Sequence, residues 1–216
     1  MNTFSVLLAV GPLAIYCVVL GLIHLRRRPK VVSGGRDLAC LGLAMIGLFL
    51  IGPAELFFPQ AAFNLFGISV WIVLIILYLF MLLFSILNTR PSLIVFGLDA
   101  DSLTGHVDQV LQQLDPSTKW LNYSFDAPAL GIQGVVERAG VGNVSHAIAT
   151  KYEQNAIGWL TLGRALSSRL KNVEVERNVS GYRWLVAGIG LLSIIGYTLV
   201  NKSTAISNGI SEMLRN

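Results

Sequence analysis

Two cysteines, three histidines and few charges set the first limits on this 216-residue chain. Cys17 and Cys40 both stand in apolar runs, so there is neither a disulfide framework nor the paired spacing of a zinc site. His24, His106 and His146 are far apart in sequence, with none of the short spacings that bring two imidazoles to one metal. Charged residues make up 13% of the chain, against about 25% in an ordinary soluble domain. That shortage excludes a disordered or nucleic-acid-binding tail protein and argues against a cytosolic enzyme.

What is present is hydrophobic. Apolar residues are 54% of the chain and the mean hydropathy is +0.65. Four runs stand out: Phe4 to Leu25, Leu38 to Ile51 with an extension to about residue 57, Phe66 to Leu87 (to about 88 with its flank), and Leu185 to Val200. A helix crosses the hydrocarbon core with roughly 20 apolar residues. The first and third runs meet that length. The fourth leans on its Tyr182-Arg183-Trp184 flank, and Gly52-Pro53 is expected to end or kink the second. Met1-Asn2-Thr3 carries no basic side chain, so the first run reads as a span and not as a cleaved signal peptide.

The expectation from hydropathy is therefore a multi-pass α-helical membrane protein with four transmembrane helices, at about 4–25, 38–57, 66–88 and 181–200. Between the third and fourth lies a hydrophilic segment, 91–180, and a tail follows from 201 to 216. Basic residues orient the chain. Arg26-Arg27-Arg28, Lys30 and Arg36 lie between the first two runs, Arg90 follows the third, and Arg177 and Arg183 precede the fourth. Short loops rich in Lys and Arg stay in the cytoplasm. Both termini are then outside, the segment 91–180 faces the cytoplasm, and the membrane is the cell inner membrane.

Within 91–180, Ser92 to Gly97 is a continuous apolar run that reads as a strand. Leu103, Val107, Val110, Leu111 and Leu114 make one helical stripe, stopped at Asp115-Pro116. Trp120 to Phe125 reads as a second strand. Leu130 to Arg138 and Asn143 to Tyr152 read as a hairpin around Gly140 and Gly142. A second helix is expected from about Gln154 to Val173, its stripe formed by Trp159, Leu162, Leu166, Leu170 and Val173. Arg164, Ser168 and Lys171 stand elsewhere on its surface. The expected order is a β-α-β-β-β-α domain of the α+β class, its two helices covering one sheet face.

Candidate chemistry centres on Leu93-Ile94-Val95-Phe96-Gly97-Leu98-Asp99-Ala100-Asp101. An Asp-x-Asp after an apolar strand resembles the first motif of haloacid-dehalogenase-type phosphatases, and the metal-binding Asp-x-Asp of some glycosyltransferases. The resemblance spans about a dozen residues and implies a Mg²⁺ held against a phosphate. Such a phosphatase would also need a downstream Lys and a later acidic pair. Lys119, Lys151 and Lys171 are available, but no later acidic pair stands in a comparable setting. Helix capping, together with the dipole at a helix start, accounts for both aspartates. Gly140-Val141-Gly142-Asn143 lacks the Lys-Ser/Thr of a phosphate-binding loop and reads as a turn. Of the sequons, those at Asn122, Asn143 and Asn178 stand on the cytoplasmic segment and that at Asn201 at the membrane edge, and all four read as coincidental. The tail from Ala205 to Leu214 places Ile206, Ile210, Met213 and Leu214 on one face, suited to a helix lying on the outer membrane surface.

No interior position of the four runs is charged, which argues against autonomous ion-coupled transport. The second run is rich in small residues (Ala39, Gly42, Ala44, Gly47), and so is the fourth (Ala187, Gly188, Gly190, Ser193, Gly196). Small residues let helices approach closely in lipid. The expected partners are therefore the bilayer and a protein or second copy meeting these two faces, without nucleic acid. The function expected is a non-enzymatic scaffold, docking or regulatory subunit of a membrane complex, with no catalytic, metal or cofactor residues. The alternatives are an accessory transporter subunit and a membrane-embedded Mg²⁺-dependent phosphate or lipid enzyme using Asp99 and Asp101. Segment 91–180 holds seven basic and nine acidic residues. The net charge of +4 thus comes from the membrane flanks, not from a surface that seeks nucleic acid.

Overall fold

The computed structural model describes residues 3–57, 67, 69–139, 143–176 and 178–201. In chain order its elements are α1 (Thr3–His24), β1 (Lys30–Ser33), α2 (Gly34–Phe57), α3 (Ser69–Leu87), β2 (Ser92–Phe96), α4 (Ala100–Leu114), β3 (Lys119–Leu121), β4 (Ser124–Ala127), β5 (Ile132–Arg138), β6 (Val144–Ala149), α5 (Ala156–Leu170) and α6 (Ser180–Asn201). They divide into two units. One gathers Met1–Leu20, Ala39–Ile86 and Arg183–Asn216; the other gathers Gly21–Leu38 and Leu87–Tyr182.

This architecture corrects the four-span reading. Among the described residues two helices are long and apolar enough to cross a membrane: Ser69–Leu87, with a hydropathy of 3.0, and Ser180–Val200, with 1.6. α2 starts earlier than the second run, at Gly34, and carries Arg36 and Asp37 in its first turn. Gly52-Pro53 does not stop that helix, which continues to Phe57.

The sheet is also larger than expected. It is six-stranded, ordered β1-β2-β6-β5-β4-β3, and every neighbouring pair is antiparallel. Two strands escaped the hydrophobic pattern. β1 comes from the basic loop, where Val31 and Val32 supply the β-branched residues of a short edge strand pairing with Val95 and Ile94. The expected single strand from Trp120 to Phe125 is two strands, because the chain reverses at Asn122-Tyr123. Asn122 holds φ at 55°, a left-handed conformation that asparagine tolerates better than most residues.

Both α4 and α5 bury their apolar stripes against one face of the sheet. Leu103, Val107, Val110 and Leu111 of α4 and Trp159, Leu162, Leu166 and Leu170 of α5 meet Leu93, Val95, Phe125, Ile132, Val136, Ala147 and Ala149. Each fully buried Leu or Val contributes about 1.5–3 kcal/mol relative to exposure, so this cluster is the main stabilising element of the unit. Asp115 closes α4. Its carboxylate, 1% exposed, accepts hydrogen bonds from the Ser117 amide and hydroxyl and from the Ala129 amide. Gln154 clamps β5 to the start of α5: its amide oxygen accepts from Gln133 N (2.9 Å) and Trp159 Nε1 (2.8 Å), and its nitrogen donates to Gln133 O (2.7 Å).

In the helical unit, Leu50 of α2 and Leu74 of α3 are buried among Ile46, Val70, Trp71 and Ile75. The Tyr78 hydroxyl donates to the Gly42 carbonyl at 2.6 Å, and the ring of Phe49 tilts against that of Tyr78, 4.6 Å away. Gly42 faces Leu82, while Gly188 of α6 faces Val18 and Ala14 of α1, so each glycine is spent on a contact within the chain.

Candidate functional site

The Asp-x-Asp pair does not converge on one point. Asp99 is the N-cap residue of α4 with extended backbone (φ −79°, ψ 167°), and its carbonyl accepts the first helical bond from Leu103 N. Its side chain makes no capping bond to the helix amides. The Ser102 side chain, hydrogen-bonded to it, holds its carboxyl below the usual aspartate value. Asp101 turns elsewhere and accepts a hydrogen bond from the Tyr123 hydroxyl at 2.6 Å, which pushes the tyrosine's own proton affinity up. Among the described residues no three of His, Cys, Asp and Glu come close enough to share a metal ion.

The histidines are equally scattered. His24 is buried in the sheet-bearing unit and meets the Phe96 ring edge-on at 5.4 Å. Its Nδ1 has no hydrogen-bond partner, and burial lowers its pKa below the usual histidine value. His106 is half-buried; burial and then the nearby Arg169 guanidinium lower its pKa. His146 lies opposite Glu137 in the β5–β6 ladder, with Nε2 3.6 Å from the carboxylate. The Gly140–Gly142 turn and the tail beyond Asn201 lie outside the described residues.

The site that does assemble is a groove of about 400 Å³ between β1 and α5. Its construction begins with α5. Asn155 caps that helix, accepting from Ile157 N at 3.0 Å, and the inward stripe of Trp159, Leu162, Leu166 and Leu170 fixes its rotation on the sheet. Leu160, Gly163, Arg164, Ser167, Ser168 and Lys171 then fall on an adjoining face, at spacings of three, one, three, one and three. The ladder puts Val31 opposite Val95 and Ser33 opposite Leu93, so both β1 side chains stand on the helix-covered face. Directly after β1 the first turn of α2 delivers Arg36. Gly163 sets the depth of the groove: a Cβ there would lie 3.0 Å from Leu93 Cδ2, so only glycine lets the leucine reach the helix backbone without displacement.

The lining is polarised. Val31, Leu93, Trp159 and Leu160 supply apolar surface; Ser33, Ser167 and Ser168 supply hydroxyls; Arg36, Arg164 and Lys171 supply three positive charges, and no acid faces the groove. None of these three cations makes an ion pair with a carboxylate among the described residues. Arg169, one position further round α5, behaves differently and donates to the Gln109 side chain of α4. Two other cavities in the unit have mixed charge, one with Asp126, Glu153 and Lys151 and the other with Asp126 and Lys119.

Reading the sequence placed Arg164, Ser168 and Lys171 merely on the outer surface of α5 and treated Arg36 as an orienting flank. The available signal was the α5 face itself, which from Gly163 to Lys171 carries nothing but glycine, serine and cations. The chain matches no family model, no curated protein and no solved structure.

Proposed function

We propose that the chain is a membrane-anchored, non-enzymatic docking or regulatory module, held in the cell inner membrane by α3 and α6 with its sheet-bearing unit in the cytoplasm. One observation carries this reading: α3 has an uncharged, apolar surface that its own chain leaves open. Phe80 is 66% exposed and Phe84 63%, and Ile72, Val73, Ile76, Met81, Leu83 and Leu87 are exposed with them. Apolar surface of that extent requires a cover, and lipid supplies it for a helix of this length. α6 adds exposed Val186, Ile189, Ile194 and Leu199. The sheet-bearing segment is entered from α3 and left into α6, so it is tethered twice, and Arg90 and Arg183 flank the two helices on its side.

The test uses a chain without its native cysteines that carries Leu121→Cys, a position 78% exposed. The chain is expected to stay with membranes through carbonate extraction, and a membrane-impermeant maleimide should label the cysteine only after the cells are opened. Labelling of intact cells would reverse the orientation, and release by carbonate would remove the anchor.

A second reading, an accessory subunit of a transporter, draws on the outer face of α6. A Cβ added at Gly190 or Gly196 meets nothing within 4 Å, so both positions of α6 are open among the described residues, and small residues are what close helix contacts in lipid use. Gly190→Leu with Gly196→Leu should leave the chain membrane-bound and folded while abolishing cross-links between α6 and a second protein. Unchanged cross-links would exclude this face.

A further inference from the structure

We propose that the groove between β1 and α5 binds a phosphate-bearing amphiphile, its phosphate held by Arg36, Arg164 and Lys171 and its apolar part lying on Val31, Leu93 and Leu160. The inference goes beyond the anchored-module reading and does not depend on it, since the groove lies wholly within the sheet-bearing unit. Three observations carry it. The first is charge. In segment 91–180 acids outnumber bases nine to seven, yet no acid lines this groove and its three cations make no ion pair with a carboxylate among the described residues. Side chains of like charge repel when gathered without a counterion, and a bound dianion or monoanion relieves that repulsion. The second is donor chemistry. Guanidinium groups present planar N–H forks that match phosphate oxygens in pairs, lysine adds a point charge, and serine hydroxyls complete the oxygen shell. Two arginines, one lysine and three serines line the groove.

The third observation separates an amphiphile from a bare anion. A site for inorganic phosphate alone would close polar groups around it. Here the cations share the groove with Val31, Leu93, Trp159 and Leu160, and the volume of about 400 Å³ falls in the range of pockets that enclose small organic ligands. Leu160, a large apolar side chain 56% exposed, lines the same groove as the three cations. That juxtaposition fits a ligand with a charged head and an apolar body, such as an anionic phospholipid head with the first carbons of its chains.

The experiment titrates the full chain, in neutral maltoside micelles, with dibutanoyl phosphatidate and separately with inorganic phosphate, by isothermal calorimetry. Saturable binding of phosphatidate near one per chain is expected, at least tenfold tighter than inorganic phosphate. Arg164→Gln with Lys171→Gln should weaken phosphatidate binding tenfold or more. Leu160→Gln should weaken phosphatidate and leave inorganic phosphate unchanged. All these side chains are exposed, so an unchanged melting temperature confirms that the variants fold. Arg138→Gln, an exposed cation at the end of β5, is the control for diffuse charge and should have no effect. Equal affinity for the two ligands, absence of binding, a double variant that binds as the parent does, or an equal loss from Arg138→Gln would each overturn the proposal. The maleimide topology test reports separately on anchoring, so either reading can fail without the other.

Discussion

Asp115 shows how much one side chain can organise. Its backbone N–H closes α4 on the Leu111 carbonyl, and its carboxylate, through the Ala129 amide, pins the loop that leads into β5. Hydrogen bonds from Ser117 and Ala129 hold its pKa below the usual aspartate value. A carboxylate depressed on folding stabilises fully above its unfolded value, near 3.9, and loses that contribution as pH falls through the folded value. Asp115→Asn should therefore lower the urea midpoint at neutral pH, with a gap to the parent that narrows in acid below about pH 4. His24 works with the same sign by a different cause. Burial lowers its pKa, so the unfolded chain takes up a proton first and stability declines as pH drops below about 6.5. His24→Phe keeps an aromatic ring against Phe96 and removes the proton; unfolding midpoints measured from pH 7.5 to 5 should then fall less steeply than in the parent. His106 retains its share of the slope.

At the scale of elements, α5 divides its work between two faces. Leu166 is fully buried in the sheet-bearing core, so Leu166→Ala should cost about 2–5 kcal/mol by chemical denaturation. Leu160→Ala, on the groove face, should change stability by less than about 0.5 kcal/mol. The inward faces of α4 and α5 were legible in the sequence, because stripes such as Leu103, Val107, Val110 and Leu111 repeat at the helical period and are buried as that period implies. The sheet was legible only in part. Val31-Val32 is too short to show alternation, and its arginine neighbours draw attention to orientation instead. Trp120 to Phe125 conceals a reversal whose only mark is Asn122. Asn122→Val, a β-branched residue forced into left-handed backbone, should cost about 1–2 kcal/mol, whereas Asn122→Gly should be tolerated, as measured by thermal unfolding. The groove was not legible, because it depends on β1 and α5 meeting, and neither element signals the other.

For the whole molecule, hydropathy overstated the membrane and understated the sheet. Length and apolarity select α3 and α6, while the first turn of α2, with Arg36 and Asp37, belongs with the strands. The sheet-bearing unit accordingly draws on two separated stretches, Gly21–Leu38 and Leu87–Tyr182. A fragment of residues 88–182 lacks β1 and leaves β2 as an open edge beside Ala147 and His146. Open edges template pairing with other chains. That fragment should aggregate at concentrations where the same residues joined to 21–38 stay dispersed, a difference that light scattering reads directly.

The pairing of Lys30–Ser33 with Ser92–Phe96 also has a consequence in time. The first strand leaves the ribosome 59 residues before the start of the second, at 33 and 92 respectively. At about 5–20 residues per second, β1 waits about 3–12 s for its partner. During that interval α2 and α3 are made. β1 can therefore pair with β2 only after the whole of α2 and α3 has been made. Until then β1 stands as an unpaired strand, and the edge of β2 that it covers is made last of the two.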